Sequence, residues 1–427
     1  MEAIKETANR LRRWEYSGLC FLLLVILVLH FSTIMLPSEP FFDEKHYVPD
    51  ARLIIQGEGT ARLTHPPLGK LFIVAGIKIF GDNPIGWRFF SVLLGTAGVW
   101  LGYLICRRLN LSQRVSLLAT FLLALENLTF VQASTAMLDV YSLFFALLGF
   151  WLYLRGNNLT AGMALGLCAL AKLSGLLAIA AIGLHWLLTG RQRPWHFLTT
   201  MLTSALSFLL FMPLFNFFIW GDWRNPVYQI QLMISRTRGV TFAGYQATHQ
   251  LSYPWEWIIF PEALLYRYQP NYIGMLSPTL WVLTIPTIIY IIFKTIKGDK
   301  TFAFLFAWFT GTYLLWIPLI LTTDRAAFIF YFYPTVGAIC IGLALGLSRL
   351  RDIAKQRQKG RLFWAIKIGV PLYLLLHAIA FMVLAPVSLW WSIPLCLLLY
   401  AAMLYSTGLI IPRSRALSAG TVPTNQG

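Results

Sequence analysis

Residues 19 to 36 read LCFLLLVILVLHFSTIML, and residues 37 to 53, PSEPFFDEKHYVPDARL, follow without a break. A hydrocarbon core about 30 Å thick needs roughly 20 mostly apolar residues per helix, so the first run is long enough to cross a membrane. Arg10, Arg12 and Arg13 precede it as they would a signal peptide. The run is long, however, and no small-residue cleavage site follows it, so it reads as a retained anchor. Similar runs recur almost to the C-terminus. A chain of 427 residues that is 58% hydrophobic and 12% charged cannot hide that surface in a water-soluble core. The expected fold is an all-α polytopic membrane protein with about twelve transmembrane helices.

The net charge of +17 is spread over short clusters between the apolar runs: Arg107 and Arg108, Arg191 and Arg193, Lys294 to Lys300, Arg349 to Arg361, and Arg413 and Arg415. That is the Lys/Arg bias of cytoplasmic loops. It speaks against nucleic acid, which needs one contiguous basic surface with stacking aromatics. Placing these clusters inside sets the course of the chain. A cytoplasmic segment covers 1–17, and spans follow at about 18–36, 84–106, 113–134, 138–154, 160–175, 176–190, 197–219, 279–296, 302–321, 326–347, 363–384 and 390–411. Two long outer loops result, 37–83 and 220–277, and a disordered cytoplasmic tail is expected at 413–427. The apolar stretch 71–82 stops at Asn83-Pro84, too short to span, and reads as an interfacial helix. Trp255 to Leu265 invites the same reading. The five cysteines, Cys20, Cys106, Cys168, Cys340 and Cys396, lie in or at the ends of spans with no CxxC, and read as small core residues.

Carboxylates gather on the outer side, partly because Lys and Arg are drawn inward. The string FFDEKHYVPDARL (41–53) asks for more than that. Asp43 and Glu44 stand next to each other where the first span emerges, with His46 and Tyr47 close behind. Apolar walls there raise a carboxylate's proton affinity and make it a useful base. The bland reading is a solvated loop with incidental charges. In the same loop THPPLGK (64–70) places His65 and Lys70 near the membrane surface, with a rigid Pro66-Pro67 between them. Arg88 lies about one turn inside the second span, where it must snorkel, pair with an acid or meet an anion. A structural Arg88–Asp139 pair is the plain alternative. Glu126 raises the same question within its span, and Arg325 sits at an outer interface where it could equally be a snorkelling anchor. Lys172 lies in a short Gly/Ala-rich segment without an evident role.

Seven segments, in order, resemble one family: FFDEKHYVPDARL (41–53), THPPLGKL (64–71), GWRFFSVLLG (86–95), ENLTFVQASTAMLDVYSLFF (126–145), GLCALAKLSG (166–175), THQLSYPW (248–255) and RAAFIFYFYP (325–334). Together they are similar to the protein O-mannosyltransferases, C-type (GT-C) membrane glycosyltransferases. The resemblance covers about 18–347, the expected catalytic membrane domain, and leaves 348–412 as C-terminal helices that align with nothing. It implies an inverting transfer of a sugar, mannose in the best-known members, from a polyprenyl or dolichyl phosphate to a protein Ser or Thr hydroxyl on the extracytoplasmic side. The membrane would be the inner or plasma membrane of a prokaryote or the endoplasmic reticulum of a eukaryote. Asp43 falls on the acidic position implied to act as base, with Glu44 second. Asp139 matches the family's MLD-type motif and is implied to orient Arg88 or the acceptor. His65, Lys70, Arg88 and Arg325 are candidates to hold the lipid phosphate, because cations stabilise a leaving anion. His46, Tyr47, Glu126 and His249 are the supporting or acceptor-side candidates. Well-known eukaryotic members insert a soluble module in the second long loop, and 220–277 has no room for one.

The motifs call for no cofactor. His46, His65, His249, Asp43 and Glu44 could together feed a divalent metal, although none has standard metal spacing. Two rivals remain at this level: a relative that moves another sugar to a lipid or glycan acceptor, and a transporter or flippase. Transporters put ionisable groups at the bilayer midplane and show repeated halves, whereas here the charges gather at one face.

Overall fold

The computed structural model describes residues 2–191, 193–245, 251–357 and 359–407. His249 and the tail from 408 lie outside the described residues, so the expectations for them are not carried further. Helix α1 (Glu2–Thr33) contains the first apolar run up to Thr33. The first long loop folds into α2 (Glu44–Gln56) and α3 (Pro67–Phe80), followed by the long span α4 (Pro84–Arg108). Asn83 starts α4 by accepting the Ile85 and Gly86 amides, with Pro84 at the first helical position. The stretch expected as an interfacial helix is α3, fourteen residues long and packed along α4.

The third span is broken. Helix α5 (Gln113–Ala124) meets α6 (Asn127–Ala133) at 64°. Then come α7 (Leu138–Arg155), α8 (Asn158–Ala171), a single 3₁₀ turn Leu173–Gly175, α9 (Leu176–Leu188) and α10 (Pro194–Trp220). Gly162 and Gly166 of α8 form a small-xxx-small stripe against α10: a Cβ at Gly166 would lie 2.7 Å from the Ser204 carbonyl oxygen. Backbones this close are a membrane solution, where packing rather than hydrophobic burial draws helices together.

The second long loop carries α11 (Pro226–Thr237), α12 (Phe242–Tyr245), α13 (Glu256–Ile259) and a hairpin of β1 (Ala263–Arg267) with β2 (Tyr272–Met275). Trp255 to Leu265 is therefore not an interfacial helix: four residues are helical, and the remainder enters a strand whose side chains alternate exposed and buried. The hairpin is also the exception to the expected all-α fold. After it come α14 (Pro278–Ile296), then α15 (Lys300–Phe309) running through a π turn (Thr310–Leu314) into α16 (Trp316–Thr323). A 3₁₀ segment (Ile329–Thr335) leads into α17 (Val336–Arg357), followed by α18 (Arg361–Leu384) and α19 (Leu389–Thr407).

Each of the twelve apolar stretches corresponds to helix, but fewer are long enough to cross. Among the described residues nine helices have the length and composition of a span, or ten with the bent α5–α6 pair counted as one. Asn158–Ala171 and Leu173–Leu188 are shorter. The protein is a multi-pass membrane protein. Its two ends differ in chemistry. Arg108 donates to the Leu154 and Arg155 carbonyls, tying basic turns together at one end. The FFDE turn, the hairpin and the short helices of the two long loops lie beyond the other ends of these spans.

Candidate active site

The turn before α2 aims its two acids in different directions. Phe42 takes a left-handed backbone, φ 47°, which an aromatic side chain adopts only under constraint from its surroundings. The constraint is the hairpin. Tyr266 of β1 stacks flat on Phe42, with centroids 4.0 Å apart, and Tyr272 of β2 packs on Phe41 at 4.7 Å. The Tyr272 hydroxyl donates to the Leu36 carbonyl, and Gln132 donates to the Tyr266 hydroxyl. Thus the second long loop holds the first.

Glu44 points inward and is 0% exposed. Its carboxylate takes two parallel hydrogen bonds of 2.8 Å from Arg88, and it also accepts the Ala136 amide at 2.8 Å and the Phe41 amide at 3.4 Å. The remaining Arg88 nitrogen donates to the carbonyls of Ile34 and Pro37. Arg88, equally buried, therefore clamps the end of the first span to the acidic turn through a bidentate pair. The Arg88–Asp139 pairing considered from sequence does not form. The Glu44 carboxylate thus accepts four hydrogen bonds, two on each oxygen, and Arg88 is committed to holding the turn.

Asp139 is bound instead by Lys172, whose ammonium meets both carboxylate oxygens at 2.7 and 2.6 Å. Lys172 occupies the extended residue that ends α8, and the rings of Phe330 and Tyr331 lie 5.2 and 5.3 Å from its ammonium. Motifs 126–145, 166–175 and 325–334 thereby meet at one point. An apolar cleft opens from it between α7, α9 and the π turn, lined by Asp139, Phe150, Leu177, Trp316 and Tyr331 among others.

Asp43 stands partly exposed beside this pair. It begins α2 without capping it, and its carboxylate has no hydrogen bond or ion pair among the described residues. Burial pushes its pKa up from 3.8 to about 6; Lys172 and Arg62 pull it down and Asp139 raises it. Its neighbour Tyr47 meets the His65 ring, hydroxyl to Nε2, at 3.3 Å. Burial, and then the charges of Lys172, Lys70, Arg325 and Arg62, hold His65 well below the usual imidazole range, so it is neutral.

The other sequence candidates spread around this centre. Lys70 is buried against Asp50 at 3.2 Å and donates to the Thr60 hydroxyl and the Arg62 carbonyl. His46 is exposed and its Nδ1 lies 2.5 Å from an Arg62 nitrogen. Arg325 is half-buried: one guanidinium nitrogen reaches the Tyr331 hydroxyl at 3.5 Å, and another is buried with no partner among the described residues. Glu126 lies elsewhere, at the α5–α6 break, where its carboxylate is filled by the Leu128, Thr129 and Ser277 amides and by the Thr129 and Ser277 hydroxyls. Among the described residues no three His, Cys, Asp or Glu side chains converge as metal ligands. The sequence reading missed Asp50, Arg62 and Tyr266 and gave Lys172 no role; the placement of Lys172 in a conspicuous Gly/Ala-rich break was the available signal.

Comparison with known proteins follows the same residues. The model of the family described as dolichyl-phosphate-mannose-protein mannosyltransferase matches residues 20–226, a range that holds Asp43, Glu44, His65, Lys70, Arg88, Asp139 and Lys172. A polyprenol-phosphate-mannose–protein mannosyltransferase of Mycobacterium tuberculosis is 25% identical over 80% of this chain and 82% of its own. One from Corynebacterium glutamicum is 24% identical over 90% and 92%. Among solved structures, the protein O-mannosyltransferase Pmt1-Pmt2 complex of Saccharomyces cerevisiae, bound to its sugar donor, superposes with a TM-score of 0.62 at 11% identity, over 92% of this chain and 89% of that one. Over residues 20–226 the chain is similar to the protein O-mannosyltransferases, a glycosyltransferase family, and it carries the GT-C membrane fold.

Proposed function

We propose that this protein transfers mannose from a polyprenyl phosphate to a Ser or Thr hydroxyl of a protein, on the extracytoplasmic side, with Asp43 as general base. The carrying observation is the state of that one carboxylate: without a partner among the described residues, raised by burial to a pKa of about 6, and next to an acid that is paired with Arg88. An alcohol is a poor nucleophile, so Asp43 takes its proton as the oxygen attacks the anomeric carbon. The bond from that carbon to the phosphate oxygen breaks in the same displacement, with inversion. A phosphate leaving group carries its own charge and needs no general acid, so one free carboxylate suffices.

Cations must receive that charge. Arg325, with a buried nitrogen that has no partner among the described residues, stands closest to this role; Lys172, paired with Asp139, adds its field, and Arg62 adds an exposed charge. The apolar cleft beginning at Asp139 and Tyr331 suits the first isoprene units of the lipid. Arg88 and Lys70, read from sequence as phosphate ligands, are positioning residues in this account, since Glu44 and Asp50 occupy them. The extracytoplasmic assignment rests on the basic turns at the far end of the bundle. The relatives' names support the choice of mannose and of a protein acceptor.

The test is reconstitution of the full chain in liposomes with polyprenyl phosphate bearing radiolabelled mannose and a Ser/Thr-rich peptide. Label in the peptide, alkali-labile and as the α-linked product of a β-linked donor, is expected. Label found only in lipid or glycan would overturn the protein acceptor, and no transfer at all would overturn the reading.

A further inference from the structure

Tyr266 lies flat between the acidic turn and the second strand of the hairpin. On one side its ring is within 3° of parallel to that of Phe42, with centroids 4.0 Å apart. On the other side is Gly274 of β2, where a Cβ would fall 2.6 Å from the Tyr266 Cε1 and 2.7 Å from its Cζ and hydroxyl oxygen. A glycine inside a strand marks a close approach, and here the space it leaves is filled by the tyrosine. Gln132 of α6, fully buried, donates to the Tyr266 hydroxyl. Asn127 of the same helix donates to the Ile273 and Met275 carbonyls of β2, at 2.6 and 3.2 Å. The ring is therefore fixed from behind, at its tip and through its partner strand.

The neighbours of Phe42 have separate anchors. Tyr272 packs on Phe41, and Arg88 holds Glu44. Between them stand Phe42 and Asp43, and a left-handed aromatic residue persists only where its surroundings over-determine it. Removing the Tyr266 ring releases that constraint on Phe42, while Arg88 keeps the start of α2 in place. Phe330 stands edge-on to both Phe42 and Tyr266, and the Lys172 ammonium lies 5.2 Å from the same ring. The stack thus sets Asp43 against the wall that carries the Lys172–Asp139 pair.

We infer that Tyr266, seated on Gly274, is a positioning residue that fixes where Asp43 meets the acceptor hydroxyl. The inference rests on the reading of Asp43 as base and deepens it, by naming what aims that base.

The test is a double-mutant cycle in the full chain, reconstituted in liposomes. Single-turnover rate is read at saturating mannosyl polyprenyl phosphate and peptide, and affinity for that lipid is measured alongside. Tyr266→Ala should lower the rate about 10²-fold, the worth of an ångström of misplacement, with lipid affinity unchanged. Tyr266→Phe keeps the ring between Gly274 and Phe42 and should recover all but about ten-fold, the upper worth of one neutral hydrogen bond. Gly274→Ala should lower the rate in the unmutated background, because its methyl group displaces the ring, and should add nothing to Tyr266→Ala. Tyr266→Leu, which fills space without a flat ring, stands in should the alanine variant fail to fold. Additive losses across the cycle would overturn the inference, and so would a fall in lipid affinity matching the fall in rate. Failure of the function reading is seen separately, as absence of transfer by the unmutated protein, and it removes the inference with it.

Discussion

Two short helices in this fold begin at a carboxylate in a break between apolar segments, and the two carboxylates are treated in opposite ways. Glu126 opens α6 and accepts from three amides and two hydroxyls, so that the broken α5–α6 span leaves its helix end satisfied and tied to Ser277 before α14. Asp43 opens α2, and among the described residues its carboxylate accepts nothing, although it is partly buried. An acid with filled lone pairs holds a fold. One left empty in a desolvated site has its proton affinity raised and is free to act.

Substitution separates the two roles. Asp43→Asn should lower single-turnover transfer by about 10² to 10⁴-fold, the usual worth of a general base, while thermal stability holds or rises. The sign follows from the pKa: a carboxyl raised from 3.8 to about 6 by folding loses stability as pH climbs between those values, and an amide escapes that penalty at neutral pH. A variant that unfolded would move Asp43 into the class of Glu126. Next in size is Glu44→Leu. It strands the Arg88 guanidinium without a counter-charge, and losing one partner of a buried pair costs about 3–5 kcal/mol. Thermal denaturation in detergent should register most of that loss, and Glu44→Leu/Arg88→Met should recover part of it. Glu126→Gln turns an accepting oxygen into a donor facing donors, at about 1–3 kcal/mol, with transfer per folded molecule unchanged. If its catalysis fell instead, the contrast between the two acids would break.

Much of this arrangement was legible in the sequence. Apolar length located the helices, and basic clusters separated the two ends. The position of FFDE directly after a span singled out Asp43 and Glu44. Their different fates were not legible. That Glu44 turns inward depends on Phe42's left-handed backbone and on Tyr266, more than two hundred residues away, stacking on its ring. Arg88 was rightly expected to need a partner, but Asp139 and Glu44 are equally plausible until three dimensions choose. The hairpin was missed because the apolar run at Trp255 to Leu265 was read by hydrophobicity, whereas Leu264 and Tyr266 inward with Ala263 and Leu265 outward keep the two-residue period of a strand. The Gln269-Pro270-Asn271 turn beside it carried the same message.

The smallest expected effect concerns the field at Asp43. Arg62 lowers the pKa of Asp43 from an exposed position. Arg62→Ala should therefore raise the midpoint of the pH–rate profile, by less than about one unit because solvent screens the charge, and added salt should shrink the difference.

The most direct measurement is the pH dependence of single-turnover transfer by the unmutated protein, with Asp43→Asn beside it. The account predicts a rate that rises with unit slope to a midpoint near 6 and is flat above it, and a residual rate in the variant with no such step. A flat profile, a midpoint in the ordinary carboxylate range near 4, or the same step surviving in Asp43→Asn would contradict it.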